Sequence, residues 1–163
     1  MYKALDIARY VVNFCNTNNL SISNLRLQKL LYFIQANFIL HNHKPCFEDI
    51  MECWQYGPVV PNVYSTFRTY GSDSIPKVEK ILVFNFSKSK IERETFDFEF
   101  DNELDKSLVE EVILQAKSKT TSELISISHN QAPWRDNYKK GYKRKLPIED
   151  MYKYFSNEEI EHE

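Results

Sequence analysis

A chain of 163 residues is the size of one ordinary domain. At that length folding buries about 70% of the unfolded surface, so the core needs neither a metal nor disulfides. The net charge of −2, from 21 Lys and Arg against 23 Asp and Glu, creates no overall field toward nucleic acid or membrane. The three cysteines, Cys15, Cys46 and Cys53, are an odd and sparse set that fits reduced thiols acting as small apolar residues. There is no basic segment followed by an apolar leader and no run long enough to cross a bilayer. A cytoplasmic protein with no membrane contact is therefore expected. Aromatics are abundant, with 10 Tyr, 11 Phe and 2 Trp, and each buries a large area, which predicts a dense core.

From Tyr2 to Asn16, apolar residues recur at Leu5, Ala8, Val12 and Cys15, the spacing of an amphipathic helix. Ser23 suits the N-cap of a second helix reaching about His41. Leu27, Leu30, Leu31, Ile34 and Phe38 form one stripe of that helix, and Phe33, Ala36, Ile39 and Leu40 fill most of the rest. A helix apolar nearly all round is buried nearly all round, so this should be the central helix. Cys46–Tyr56 lacks helical spacing and holds a short strand near 47–54. Pro61 suits the first turn of a third helix, which Gly71 stops.

Residues 78–100 alternate, Ile81 to Phe86 and then Phe96 to Phe100 around a polar turn at 87–90, which predicts a β-hairpin. Helical spacing resumes at Leu104, Leu108, Val112 and Ala116. Thr120-Thr121-Ser122-Glu123 is a capping box that opens a short helix. His129 falls in its last turn, where the helix dipole favours a cationic ring. An irregular segment, 130–141, precedes a last helix begun by Pro147. The fold class is mostly α: one compact domain over 1–156 around the central buried helix, a small β element, and a flexible acidic tail at 157–163.

Charge is uneven. Residues 92–111 hold nine acids against Arg93 and Lys106, and residues 135–145 hold six bases against Asp136. Two solvated faces account for both. No HExxH, CxxC pair, Gly-rich phosphate loop or nucleophile elbow is present, so no catalytic residue and no cofactor is assigned. His41, His43 and Cys46 would be an incomplete zinc site, and no metal is expected.

Three motifs stand out. In Leu27–Phe33, LQKLLYF, Gln28 and Lys29 lie four and three residues before Tyr32, so Gln28 and Tyr32 share a helix face. Read from the residues alone, this is a core helix whose lysine snorkels to water. Trp54-Gln55-Tyr56-Gly57-Pro58-Val59-Val60-Pro61, continuing to Val63-Tyr64, is a loop stiffened by Gly and Pro that presents aromatics. Such aromatics serve equally as binding anchors or as packing. Ser128-His129-Asn130-Gln131-Ala132-Pro133-Trp134 reads first as a helix end plugged by indole.

Taken in this order, the three motifs resemble the Panacea antitoxin domain, also called SocA-like, over nearly the whole chain. The resemblance implies a mostly helical, non-enzymatic bacterial or phage antitoxin that neutralises a co-encoded protein toxin by direct contact. It also implies that some members deliver the toxin to a AAA+ protease. The expected toxin-contacting residues are Gln28, Lys29, Tyr32, Trp54, Tyr56, Gly57, Pro58, Val59, Tyr64, His129, Pro133, Trp134, Lys139 and Lys140. The hairpin at 78–100 is more regular than the family core, and selectivity for one toxin is expected there. The alternative is a DNA-binding autorepressor of its own operon, with Tyr138 and Tyr142 interleaved in the basic run as its phosphate-binding face. The negative net charge and the lack of a recognition helix make nucleic acid the weaker partner.

Overall fold

A computed structural model describes residues 1–158. Helix α1 (Ala4–Thr17) leads to α2 (Asn24–Asn42), then to strands β1 (Met51–Trp54) and β2 (Gly57–Val59). Helix α3 (Pro61–Phe67) continues into one 3₁₀ turn, Arg68–Tyr70, and the chain then forms a hairpin of β3 (Lys80–Asn85) and β4 (Lys90–Thr95). After it come α4 (Glu103–Ala116), α5 (Thr121–Asn130), the four-residue α6 (Ala132–Arg135), β5 (Arg144–Leu146) and α7 (Ile148–Glu158). The last helix carries the chain through Glu158, and residues 159–163 of the expected tail lie outside the described residues.

Helix α2 is the hub, packed by α1, α3, α4, α5, α7 and β2. Ser23 caps it by accepting from the Arg26 amide, and the Thr120 capping box opens α5. Around α2 the core gathers Ile7, Val11, Leu27, Leu31, Ile34, Ile39, Val109, Ile113, Met151 and Phe155. The surprise in α2 is polar: Asn24, Gln28, Lys29 and Gln35 are all buried. Each of them holds another segment in place. The Gln35 carboxamide donates to the Phe47 carbonyl and accepts from the Cys46 and Phe47 amides. The isolated carbonyls and amides of the loop after α2 thus find partners without solvent, as buried backbone must.

The small sheet has the order β2-β1-β5, antiparallel throughout, with Trp54 opposite Gly57 and Cys53 opposite Arg144. Strands β2 and β5 carry no period-two pattern and were not foreseen. Both are three residues long, and β2 holds Pro58, which an edge strand tolerates.

The hairpin forms with a different second strand. The polar Lys90–Thr95 pairs with β3, placing Phe84 opposite Ile91. Asn85 sets the turn by accepting from the Lys88 amide and donating to Glu92. That local geometry closes the chain immediately after β3. The alternating Phe96–Phe100 stretch is extended but not part of the sheet. It lays Phe98 and Phe100 against Tyr10 of α1, with ring centroids 6.1 and 4.7 Å apart.

Candidate protein-binding site

The three motifs converge at one end of α2. The turn Gln55-Tyr56 joins β1 to β2, and Gly57 follows with φ of +100°, a conformation open mainly to glycine. Space is a second demand there. A Cβ on Gly57 would lie 2.5 Å from Lys29 Nζ and 2.9 Å from Ser128 Oγ. The Lys29 ammonium does not snorkel. It is fully buried and donates to the Pro58 carbonyl at 2.6 Å. Burial lowers its pKa from the usual lysine range to about 7.

Neighbouring polar groups complete the clamp. Gln28 Oε1 accepts from the Val60 amide, its Nε2 donates to Asn24 Oδ1, and Asn24 Nδ2 donates to the Tyr64 carbonyl. One helical turn on, the Tyr32 hydroxyl donates to Gln131 Oε1. The third motif is fastened to the second by a single indole: Trp134 Nε1 donates to the Trp54 carbonyl at 3.0 Å. Its ring is stacked between His129 (3.7 Å, 8°) and Tyr138 (4.5 Å, 14°). His129 is not the cationic cap that its position in α5 suggests. Desolvation, and then the nearby Lys29, push its pKa down. Its buried Nε2 has no hydrogen-bond partner among the described residues, so the neutral, stacking imidazole is favoured.

The expected contact residues therefore separate by depth. Gln28, Lys29, Tyr32, Gly57, Pro58, Val59, Pro133 and Trp134 are buried, with only Gln28 and Val59 among them reaching the inner lining of the groove described below. The reason is that α2 is enclosed on all sides and uses its polar groups internally. His129 is half-buried in the stack. Trp54 and Tyr64 are half-buried, while Tyr56, Lys139 and Lys140 are exposed.

Of the accessible members, Trp54, Tyr56, Tyr64 and Lys140 border a groove of about 640 Å³, which is also lined by Val59, Arg68, Tyr138, Tyr142 and Lys143 and by Asn24, Leu25 and Gln28. Lys143 Nζ sits 3.9 Å from the centre of the Trp54 ring, which also meets Tyr64 at 4.9 Å and donates its Nε1–H to Glu52 Oε2 at 2.7 Å. Arg68, Tyr138, Tyr142 and Lys143 are absent from the expected toxin contacts given above, although Tyr138 and Tyr142 belong to the phosphate-binding face of the alternative reading. The signal for three of them is the interleaving of tyrosine with lysine in 135–145. For Arg68, at the end of α3, there is none. Elsewhere, Cys46 is buried whereas His41 and His43 are exposed, and no three potential metal ligands gather among the described residues. No described helix is long and apolar enough to cross a membrane.

An enclosed polar junction thus lies beneath an open aromatic and basic groove. The chain belongs to the family described as antitoxin SocA-like, Panacea domain, whose model matches residues 27–135. That span runs from α2 to α6 and contains all three motifs. Antitoxin SocA of Caulobacter vibrioides (strain NA1000 / CB15N) is 29% identical over 132 residues, which cover 78% of this chain and 66% of the relative. The match thus spans slightly under two thirds of that relative's length. No solved structure matches the chain.

Proposed function

We propose that this chain is an antitoxin that neutralises a co-encoded protein toxin by binding it directly, with the groove face as part of the contact. The observation that carries the reading is the groove itself in a chain of this family: large aromatic side chains, partly exposed and held rigid by the clamp beneath them. Aromatics fixed in that way lose little entropy on binding and dominate interface energetics. The basic rim would steer an acidic partner. The same complex would present the toxin to a AAA+ protease if the chain is also an adaptor, and the toxin's half-life with and without the chain separates sequestration from delivery.

The test is co-expression with the neighbouring toxic reading frame. Growth should be restored and both chains should co-purify. Charge reversal at Lys139, Lys140 and Lys143 should slow association and change its salt dependence. Rescue of growth by a variant that no longer binds the toxin would remove the binding mechanism. The basic run also supports an operator-binding reading, but it runs from the last residue of a four-residue helix through a loop into a three-residue strand and holds no helix that could enter a major groove.

A further inference from the structure

We infer that the groove seats an extended, acidic peptide segment of its partner, carrying one large apolar side chain as an anchor. This rests on the toxin-binding reading and names the part of the partner that enters the site.

Charge complementarity argues first. The protein is net negative, yet the groove is bordered by Arg68, Lys140 and Lys143, and no acidic side chain is among its lining residues. A site so polarised against the sign of its own molecule selects anionic partners and repels basic ones. Size and chemistry argue next. A volume of 640 Å³ is that of a small-ligand cleft, enough for a short peptide stretch and too small for a folded surface to enter. Val59 and the edges of Trp54 and Tyr64 offer an apolar floor for one side chain.

Single-stranded nucleic acid shares the preference for cations and aromatics, but base stacking needs bare ring faces, and three of the five rings that line the groove are already covered. Lys143 lies over Trp54, Lys139 Nζ stands 4.6 Å from the centre of the Tyr142 ring, and Tyr138 is stacked on Trp134. The lysines that cover these rings are themselves exposed and can turn to a carboxylate while their stems keep packing.

The probe is a fluorescein-labelled seven-residue peptide of Asp and Glu around a central Leu, read by fluorescence anisotropy on the whole chain. Its controls are the same peptide with Ser for Leu, the same peptide with Lys for every acid, and a ten-nucleotide oligothymidylate. The acidic Leu peptide should bind, with affinity falling as salt rises, at least tenfold more tightly than any control. Lys140→Glu with Lys143→Glu should weaken it at least tenfold with unchanged melting, since both side chains are exposed. Failure of the acidic peptide to bind, binding indifferent to the double reversal, or tighter binding of the oligothymidylate would each overturn the inference. If the double-reversal variant still captures and neutralises the co-expressed toxin while the peptide fails, the segment assignment falls and the antitoxin reading stands. If the peptide binds but no neighbouring toxin is neutralised, the reverse holds.

Discussion

The junction beneath the groove and the β3–β4 hairpin invert the usual placement of residues. At the junction, Gln28, Lys29 and Asn24 are buried polar groups. On the hairpin, Leu82 (67% exposed), Phe84 (47%), Phe86 (86%) and Ile91 (65%) are open apolar ones. Cross-strand pairing puts Leu82, Phe84 and Ile91 on one face, and the two-stranded sheet has no third strand among the described residues. Buried polar groups and exposed apolar patches are the informative exceptions to ordinary partitioning. The first kind orients a scaffold, because each buried donor needs one particular acceptor. The second kind serves no purpose inside this chain, and an isolated hairpin is only marginally stable without a covering surface. The family motifs thus supply the frame and, through Trp54, Tyr56 and Tyr64, part of the groove wall, while a separate open apolar face lies on the hairpin.

The largest expected effect lies at the junction. Gly57→Val combines a left-handed φ with a collision against Lys29 and Ser128, and should cost about 3 kcal/mol of stability. A shifted urea midpoint checks this, and an unchanged midpoint would mean that the clamp tolerates a side chain.

A smaller effect follows from the Lys29 amine. Its pKa is about 7 in the fold against about 10.4 unfolded, so between these values the unfolded chain binds more protons and stability rises with pH. The buried thiols act in the opposite sense. Burial raises Cys15 to about 11 and Cys53 to about 12, and raises Cys46 further. Above their unfolded value of about 8.5 the folded chain therefore binds more protons, and stability falls with pH. Unfolding free energy should climb by about 0.5–1 kcal/mol between about pH 7 and 8, the Lys29 gain being partly offset by the thiols, and decline above about pH 8.5. Lys29→Met should abolish the climb and leave the decline. Urea titrations across this range decide it, and a wild-type profile flat below about pH 8 would show that Lys29 remains charged in place.

The smallest effect on stability, and the sharpest on function, belongs to the hairpin. Phe84→Ser with Phe86→Ser removes one side chain that is about half in water and one that is mostly so, so stability should change by less than about 1 kcal/mol. If the hairpin holds selectivity, neutralisation of the cognate toxin should drop while the fold is intact. Exchanging residues 78–100 for those of a relative should transfer toxin choice. A folded chimera that still neutralises only the original toxin would return specificity to the groove.

Local and periodic features were legible in the sequence. The caps at Ser23 and Thr120, the start of α3 at Pro61 and the all-round burial of α2 each follow from chemistry within one or two helical turns. The three motifs carried the family resemblance for the same reason, because they are short and contiguous. Tertiary structure decided what the motif residues do. Lys29 reads as a snorkelling side chain because the sequence does not show that the Pro58 carbonyl closes over it. His129 reads as a cationic cap because the burial and the nearby Lys29 that lower its pKa come from tertiary packing. The second hairpin strand was misplaced because alternation marks the aromatic Phe96–Phe100, whereas the Asn85 turn brings the polar Lys90–Thr95 into register. The groove is assembled from α2, the β1–β2 turn, the end of α3 and the basic run, four segments far apart in sequence. Its chemistry is written in the residues, but its existence depends on how α2 gathers them.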